Sequence, residues 1–335
     1  MTADFSTIGG LQELARERLA GHLWDFAGSG AGEGATRRRS RLGFDSLTFR
    51  PRLLRGVGVP DTRVDVAGHT LGSPVFFAPV GSIARYHPDG ALNVAAAVGP
   101  AATIGFIGGL ALPALEDVAA AATGPLIYQV YVAGDRAWLA ELMARVEEAG
   151  FSGLCITADS VAPSFSDRLR EAGWSPTTRP DHPNLLGASD SDVTAHMSRF
   201  DWDDLAWLRS RTDLPLLLKG VLTAEDAVLA VEHGVDVVYV SNHGGLVLDH
   251  GPAVTEVLGP IVDRVSGRAQ IVADGGILRG TDVVKLVAIG AAAVGIGRLT
   301  CWAVAAGGAA ALVRTAEILT DERRTTMAMV GAAGT

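Results

Sequence analysis

The sequence predicts a closed (β/α)8 barrel, and three observations carry that prediction. Eight apolar runs of strand length recur along the chain: VFFAPVG (75–81), ATIGFIGG (102–109), PLIYQVYV (125–132), GLCITAD (153–159), LPLLLKG (214–220), DVVYVSN (236–242), QIVADGG (270–276) and AAVGIGR (292–298). Between them lie segments whose apolar residues fall at helical spacing, among them ALNVAAAV, LEDVAAAA, RAWLAELMARVEEAG, DWDDLAWLRS, AEDAVLAVEHG, VTEVLGPIVDRV and TDVVKLVAIG. Continuous apolar strands separated by helices describe a parallel sheet covered by helices, and eight such units in 335 residues suit a single barrel domain with extensions. A doubly wound open sheet is the competing arrangement; it needs a reversal of strand order that the sequence cannot display.

Local signals justify the elements in turn. Residues 1–70 precede the first strand as an N-terminal extension, with a helical start, LQELARERLAGHLWDFA, and a basic stretch, RRRSR. Gly150 and Gly234 stand where helices should end, since glycine takes the left-handed conformation that closes a helix without steric cost. Residues 160–200 form a long connection after the fourth strand, rich in serine and proline. A connection of that length in a compact barrel usually serves as an active-site lid, so a mobile loop over the site is expected.

Composition excludes several classes. Hydrophobic residues make up 48% of the chain and the mean hydropathy is +0.27, which rules out general disorder. Lys and Arg number 28 against 37 Asp and Glu, a formal charge of −9. That balance leaves no general surface for nucleic acid or an anionic membrane, and RRRSR reads as a solvated or internally paired face. Cys155 and Cys301 form no CxxC and no metal spacing. A reduced, cytoplasmic setting is the expectation, with no metal site. The N-terminus lacks the apolar core of a signal peptide, and no uninterrupted apolar run reaches about 18 residues.

In such barrels chemistry sits at the C-terminal ends of the strands. Reading those ends off the sequence gives a polar set: Gln129 and Tyr131, Thr157 and Asp159, Lys219, Ser241 to His243, Asp274 to Gly276, and Gly297 with Arg298. Glycine pairs in ADGG and GIGR let backbone N–H groups approach an anion, and Arg298 supplies a charge; their alternative role is only to turn the chain. Lys219 is either a fixed cation for an anionic cofactor ring or a Schiff-base lysine. His243, at a strand end before Gly-Gly, is a candidate general base with Asp159 fixing its tautomer; the competing reading is a satisfied structural histidine.

These blocks, in this order, resemble the FMN-dependent α-hydroxy-acid oxidase and dehydrogenase family of glycolate oxidase, lactate oxidase and mandelate dehydrogenase. The resemblance runs from WDFAGSGA and FDSLTFRPRLL through APVG, YQVYV, ITADS, LLKGVLTAEDA and SNHGG to ADGGILRGTDVVK and IGR, nearly the whole chain. It implies an FMN-binding barrel, with Ala78, Pro79 and Val80 against the flavin, Gln129 and Thr157 on its polar edge, and Ser241 in the cofactor set. It places Lys219 near the flavin N1–C2=O end, and Asp274, Gly275, Gly276, Arg279, Gly297 and Arg298 at the phosphate. His243 would take a proton as two electrons pass to the flavin, with Asp159 assisting and Tyr131 contacting the substrate oxygen. Electrons would go on to O2 or another acceptor, and a homo-oligomer is implied.

The departures from the family pattern concern the substrate. The family reads SNHGGR or SNHGAR, with the arginine on the substrate carboxylate; this chain has Leu246 there. A carboxylate-binding tyrosine is replaced by Phe26, arginines after ITADS by the SFSD stretch with Ser164 and Ser166, and the first of two arginines after ADGG by Leu278. Gly108, Gly109 and Leu110 stand for a Ser-Ser-Trp pattern, an exchange expected to enlarge the pocket. Each lost charged hydrogen bond weakens binding by about 1.5–3 kcal/mol, so a free 2-hydroxy acid held in the usual way is not the expected substrate. An ester, amide, carrier- or peptide-bound acyl group or modified natural-product intermediate fits better. Three alternatives stand beside this: an FMN-dependent monooxygenase or isomerase, an ordinary 2-hydroxy-acid oxidase whose carboxylate is gripped by Arg168 or Arg179, and a barrel that only binds.

Overall fold

Eight parallel strands close on themselves in sequence order. A computed structural model describes residues 5–174, 182–186 and 196–334. A short antiparallel ribbon, β1 (Val64–Val66) and β2 (His69–Leu71), precedes the barrel strands β3 (Val75–Phe77), β4 (Gly105–Gly108), β5 (Leu126–Val130), β6 (Leu154–Thr157), β7 (Leu216–Val221), β8 (Val237–Ser241), β9 (Gln270–Asp274) and β10 (Ala293–Ile296). Each predicted run coincides with one of them, β7 reaching one residue past its run. Pairing of β10 with β3, Val294 opposite Val75, closes the ring. The open-sheet alternative is thereby eliminated.

The strands are buried nearly end to end because both faces are covered. Inside the ring, Phe76, Phe106 and Tyr239 pack with centroids 4.9–5.7 Å apart, alongside Ile127, Leu217 and Val272. Val66 and Leu71 of the ribbon join this cluster. Cys155 lies in it too, as a small buried hydrophobe whose thiol pKa is pushed up by burial. The barrel centre is therefore a packed core, and chemistry is confined to its rim.

The N-terminal extension folds as α1 (Ile8–Arg18), α2 (Gly21–Gly28) and α3 (Ala35–Ser46). The single helical start expected from the sequence is divided, because Leu19 and Ala20 take extended backbone. The RRRSR arginines lie on α3, and three of the four are paired internally. Arg39 meets Glu256 at 2.8 Å, Arg41 meets Asp282 at 2.6 Å, and Arg38 lies 3.7 Å from Glu33. The first two pairs tie the extension to the barrel's outer helices.

The C-terminal helix, Arg298–Val330, is not among the elements read from the sequence. Gly307 and Gly308 interrupt its helical geometry. It is long and apolar enough by composition to cross a membrane, yet 72% of its most apolar stretch is buried; packing on α1, on helix Gly280–Ile289 and on helix Leu92–Val98 accounts for that apolarity.

Within 160–200, two of the described stretches hydrogen-bond to the rest of the protein. Gly32 N–H donates to Phe165 O at 2.8 Å and Asp167 N–H to Gly32 O at 3.0 Å, followed by a short helix, Asp167–Glu171. Further on, Asn184 Oδ1 accepts from Leu115 N at 2.9 Å.

Candidate active site

The C-terminal rim surrounds a cavity of about 920 Å3. His243 projects into it from the turn after β8. Its backbone is left-handed (φ 54°), an uncommon conformation for a residue with a side chain. Ser241 fixes that turn: its Oγ donates to Asp274 and accepts from His243 N–H at 3.0 Å. The imidazole Nδ1 lies 3.0 and 3.2 Å from the two Asp159 oxygens, and Nε2 lies 3.4 Å from the Tyr131 hydroxyl. A carboxylate at Nδ1 holds the proton there and leaves the Nε2 lone pair facing the cavity.

Asp159 is poised as an anion. Burial opposes its charge, but His243 and Lys219 outweigh burial and hold the carboxyl well below the usual range. Lys219 shows the complementary balance: burial opposes its charge, and Asp159 with Asp274 raises its pKa. Asp274 also accepts from Tyr239 at 2.7 Å. Burial pushes the Tyr131 hydroxyl up to about 12, so it remains a hydrogen-bond donor at ordinary pH.

Three buried polar atoms on adjacent strands have no hydrogen-bond partner among the described residues: Gln129 Nε2, Thr157 Oγ1 and Lys219 Nζ. Buried polar groups are rarely left unsatisfied. Two donors and a hydroxyl on β5, β6 and β7, beside Ala78, Pro79 and Val80 lining the cavity, fit the heteroatom edge and flat face of a flavin ring. The rim thus passes the test for FMN that the sequence resemblance sets.

At the other end, Gly275 and Gly276 have left-handed φ values, and Gly297 precedes the C-terminal helix. Arg298 donates to the carbonyls of Ala27 at 2.6 Å, Ser29 at 3.2 Å and Gly244 at 3.4 Å. Burial, then Arg37, pushes its pKa down to about 10. Arg279 does not join this group. Its side chain is exposed and paired with Glu322 at 2.7 Å, because the C-terminal helix presents that carboxylate to the start of helix Gly280–Ile289.

Phe26, Leu110 and Leu246 all line the cavity, as expected. Gly108 and Gly109 do not enlarge it: a Cβ on Gly108 would come within 2.9 Å of the Gly81 backbone and one on Gly109 within 3.0 Å of Gln129 O. Close approach of neighbouring strand ends explains these glycines. Sequence reasoning missed Phe165 and Trp174, which border the cavity from the 160–174 segment, and Arg37 near Arg298. Phe165 stands between the two serines that were singled out, but no motif marks it. Arg168 pairs with Asp25 and does not line the larger cavity; Arg179 lies outside the described residues.

A family model for FMN-dependent dehydrogenases matches residues 15–335. Glycolate oxidase 3 of Arabidopsis thaliana is 37% identical over 333 residues, covering 96% of this chain and 90% of that protein. A crystal structure of mandelate oxidase superposes with a TM-score of 0.89 at 34% identity, covering 98% of this chain and 96% of that one. An arginine-to-leucine variant of mandelate oxidase with 2-hydroxy-phenylacetamide superposes with a TM-score of 0.88 at 32% identity, over 98% and 96% of the two chains. With FMN as its cofactor and a hydroxy-acid oxidase barrel as its scaffold, the chain belongs to the FMN-dependent dehydrogenase family of oxidoreductases.

Proposed function

We propose that this enzyme oxidises the carbinol C–H bond of a 2-hydroxy ester, amide or carrier-bound acyl group, and that a free 2-hydroxy carboxylate is a poor substrate. The observation that carries the reading is the apolar wall: Phe26, Leu110 and Leu246 line the cavity that His243 faces. A carboxylate against that wall would be desolvated without a counter-charge, which costs several kcal/mol, whereas an amide or ester carries no such charge. Of the cations that border the cavity, Lys219 is assigned to the cofactor ring and the arginines already have partners in the protein. Arg85 lies over Trp174 and Arg170 over Phe165, 5.6 and 4.8 Å from the ring centres, and Arg298 is held by three carbonyls. A mandelate oxidase that has lost an arginine to leucine and holds 2-hydroxy-phenylacetamide is a related pairing of apolar residue and uncharged ligand.

Bound FMN supplies the two-electron sink, and the electrons pass on to O2 or another acceptor. The protein's part is proton handling and placement. His243 Nε2 takes the proton from the carbinol as its carbon becomes a carbonyl, and the Asp159 carboxylate stabilises the imidazolium that forms. The Tyr131 hydroxyl, still protonated, donates to the substrate oxygen. Lys219 places a fixed positive charge where the cofactor ring gains negative charge.

Anaerobic titration tests the substrate class through bleaching of the flavin absorbance. 2-Hydroxy-phenylacetamide and the methyl ester of mandelate should reduce the flavin at concentrations about 100-fold or more below those needed with mandelate, glycolate or lactate. Bleaching by any of these acids at micromolar concentration overturns the proposal.

A further inference from the structure

We propose that Arg37, on the N-terminal extension, holds the phosphate of FMN together with Arg298. The inference rests on the FMN assignment and is independent of the substrate class. A second cavity of about 240 Å3 shares Gly244, Gly276 and Arg298 with the larger one, so it continues the cofactor trough at its arginine end. No aspartate or glutamate lines it, whereas Arg37, Arg41, Arg168 and Arg298 all do.

Two of these four charges are already neutralised: Arg41 by Asp282, and Arg168 by Asp25. Arg298 rests on carbonyl oxygens alone, and half-buried Arg37 has no ion pair among the described residues. Two uncompensated guanidinium groups remain around one small hollow, close enough for Arg37 to depress the pKa of Arg298. Such an arrangement is unfavourable unless an anion fills it. A phosphate monoester carries about −1.5 to −2 charges at neutral pH and matches the pair in size and sign.

The backbone holds Arg37 in place. α3 presses on the turn after His243, where a Cβ on Gly245 (φ 78°) would lie 2.8 Å from Arg37 N. Ala31 N–H donates to Gly245 O at 2.7 Å. Leu278, on the loop after β9, lines the same hollow without charge. Arg37 thus brings to the cofactor end a charge that the loop after β9 does not supply there.

The test is flavin binding, read by fluorescence during titration of apoprotein with FMN and, separately, with riboflavin. Arg37→Leu should raise the Kd for FMN about 10- to 100-fold and leave that for riboflavin unchanged. Adding Leu278→Arg to that variant should restore at least part of the loss, by returning a cation to the same hollow. Should Arg37→Leu fail to accumulate, Arg37→Gln, which keeps a polar stem, carries the same expectation. Unchanged FMN affinity overturns the role of Arg37, and so does equal weakening for both flavins, which would mark a structural effect. If the unaltered protein bound neither flavin, the FMN assignment itself would fall, an outcome distinct from either.

Discussion

Asp159→Asn isolates charge from geometry at the base. The asparagine keeps an oxygen that can accept from His243 Nδ1–H, so the ring orientation survives and only the negative charge goes. Two unit charges 3.0 Å apart, at an effective dielectric of about 20, attract by about 5 kcal/mol. The His243 and Asp159 side chains are 19% and 15% exposed, so solvent screens part of that. What remains is about 2–4 kcal/mol of imidazolium stabilisation, which slows flavin reduction about 30- to 1000-fold. Anaerobic stopped-flow with a saturating reducing substrate measures this, with the flavin spectrum confirming retained FMN. The comparison is made at roughly pH 7 to 9. Asp159 is held below the usual carboxylate range, so it is already ionised across that window and loses its charge only as pH falls through its lowered pKa. A slowing of less than about threefold refutes the assignment of Asp159 as the anionic partner of the base.

Two further substitutions probe the neighbouring groups. Leu246→Arg places a guanidinium on the apolar wall and should improve the apparent Kd for mandelate about 10- to 100-fold while leaving that for 2-hydroxy-phenylacetamide unchanged or weaker, as read by anaerobic flavin bleaching; equal effects on both ligands would show that Leu246 does not face the acyl group. Tyr131→Phe should lower the rate of flavin reduction about 10- to 100-fold yet leave any alkaline limb of the pH profile below about pH 10 in place, because the Tyr131 hydroxyl, raised to about 12, stays neutral there; disappearance of such a limb in the variant would assign it to Tyr131 and contradict the raised pKa.

The barrel was legible because a strand buried on both faces must be apolar along its length, and each of the eight runs obeys that demand. The candidate base was legible for a related reason: polar residues at strand ends such as Asp159, Lys219 and His243 have no packing role to explain them. The positions that escaped reading are those whose meaning depends on distant chain. Arg279 looks like a cofactor arginine until Glu322, 43 residues onward, claims it. Gly108 and Gly109 look like pocket-widening losses until the Gly81 backbone and Gln129 are seen against them. The C-terminal helix went unread because it carries no motif, and its apolarity makes sense only against α1 and the barrel helices.

The N-terminal extension meets the trough at both of its chemical ends. α2 contributes Phe26 to the apolar wall of the large cavity, and α3 contributes Arg37 to the hollow beside Arg298. Arg298 itself donates to Ala27 and Ser29, the residues that join those two features. Any anion that draws Arg37 and Arg298 together therefore also tightens the chain that follows Phe26. On this geometry cofactor binding and the shape of the substrate wall are one problem for the protein, since a rigid phosphate end keeps Phe26 in register with Leu246. Loss of the Arg37 contact should accordingly loosen discrimination between acid and amide as well as FMN itself, an effect that riboflavin-loaded enzyme would share and FMN-saturated wild type would not.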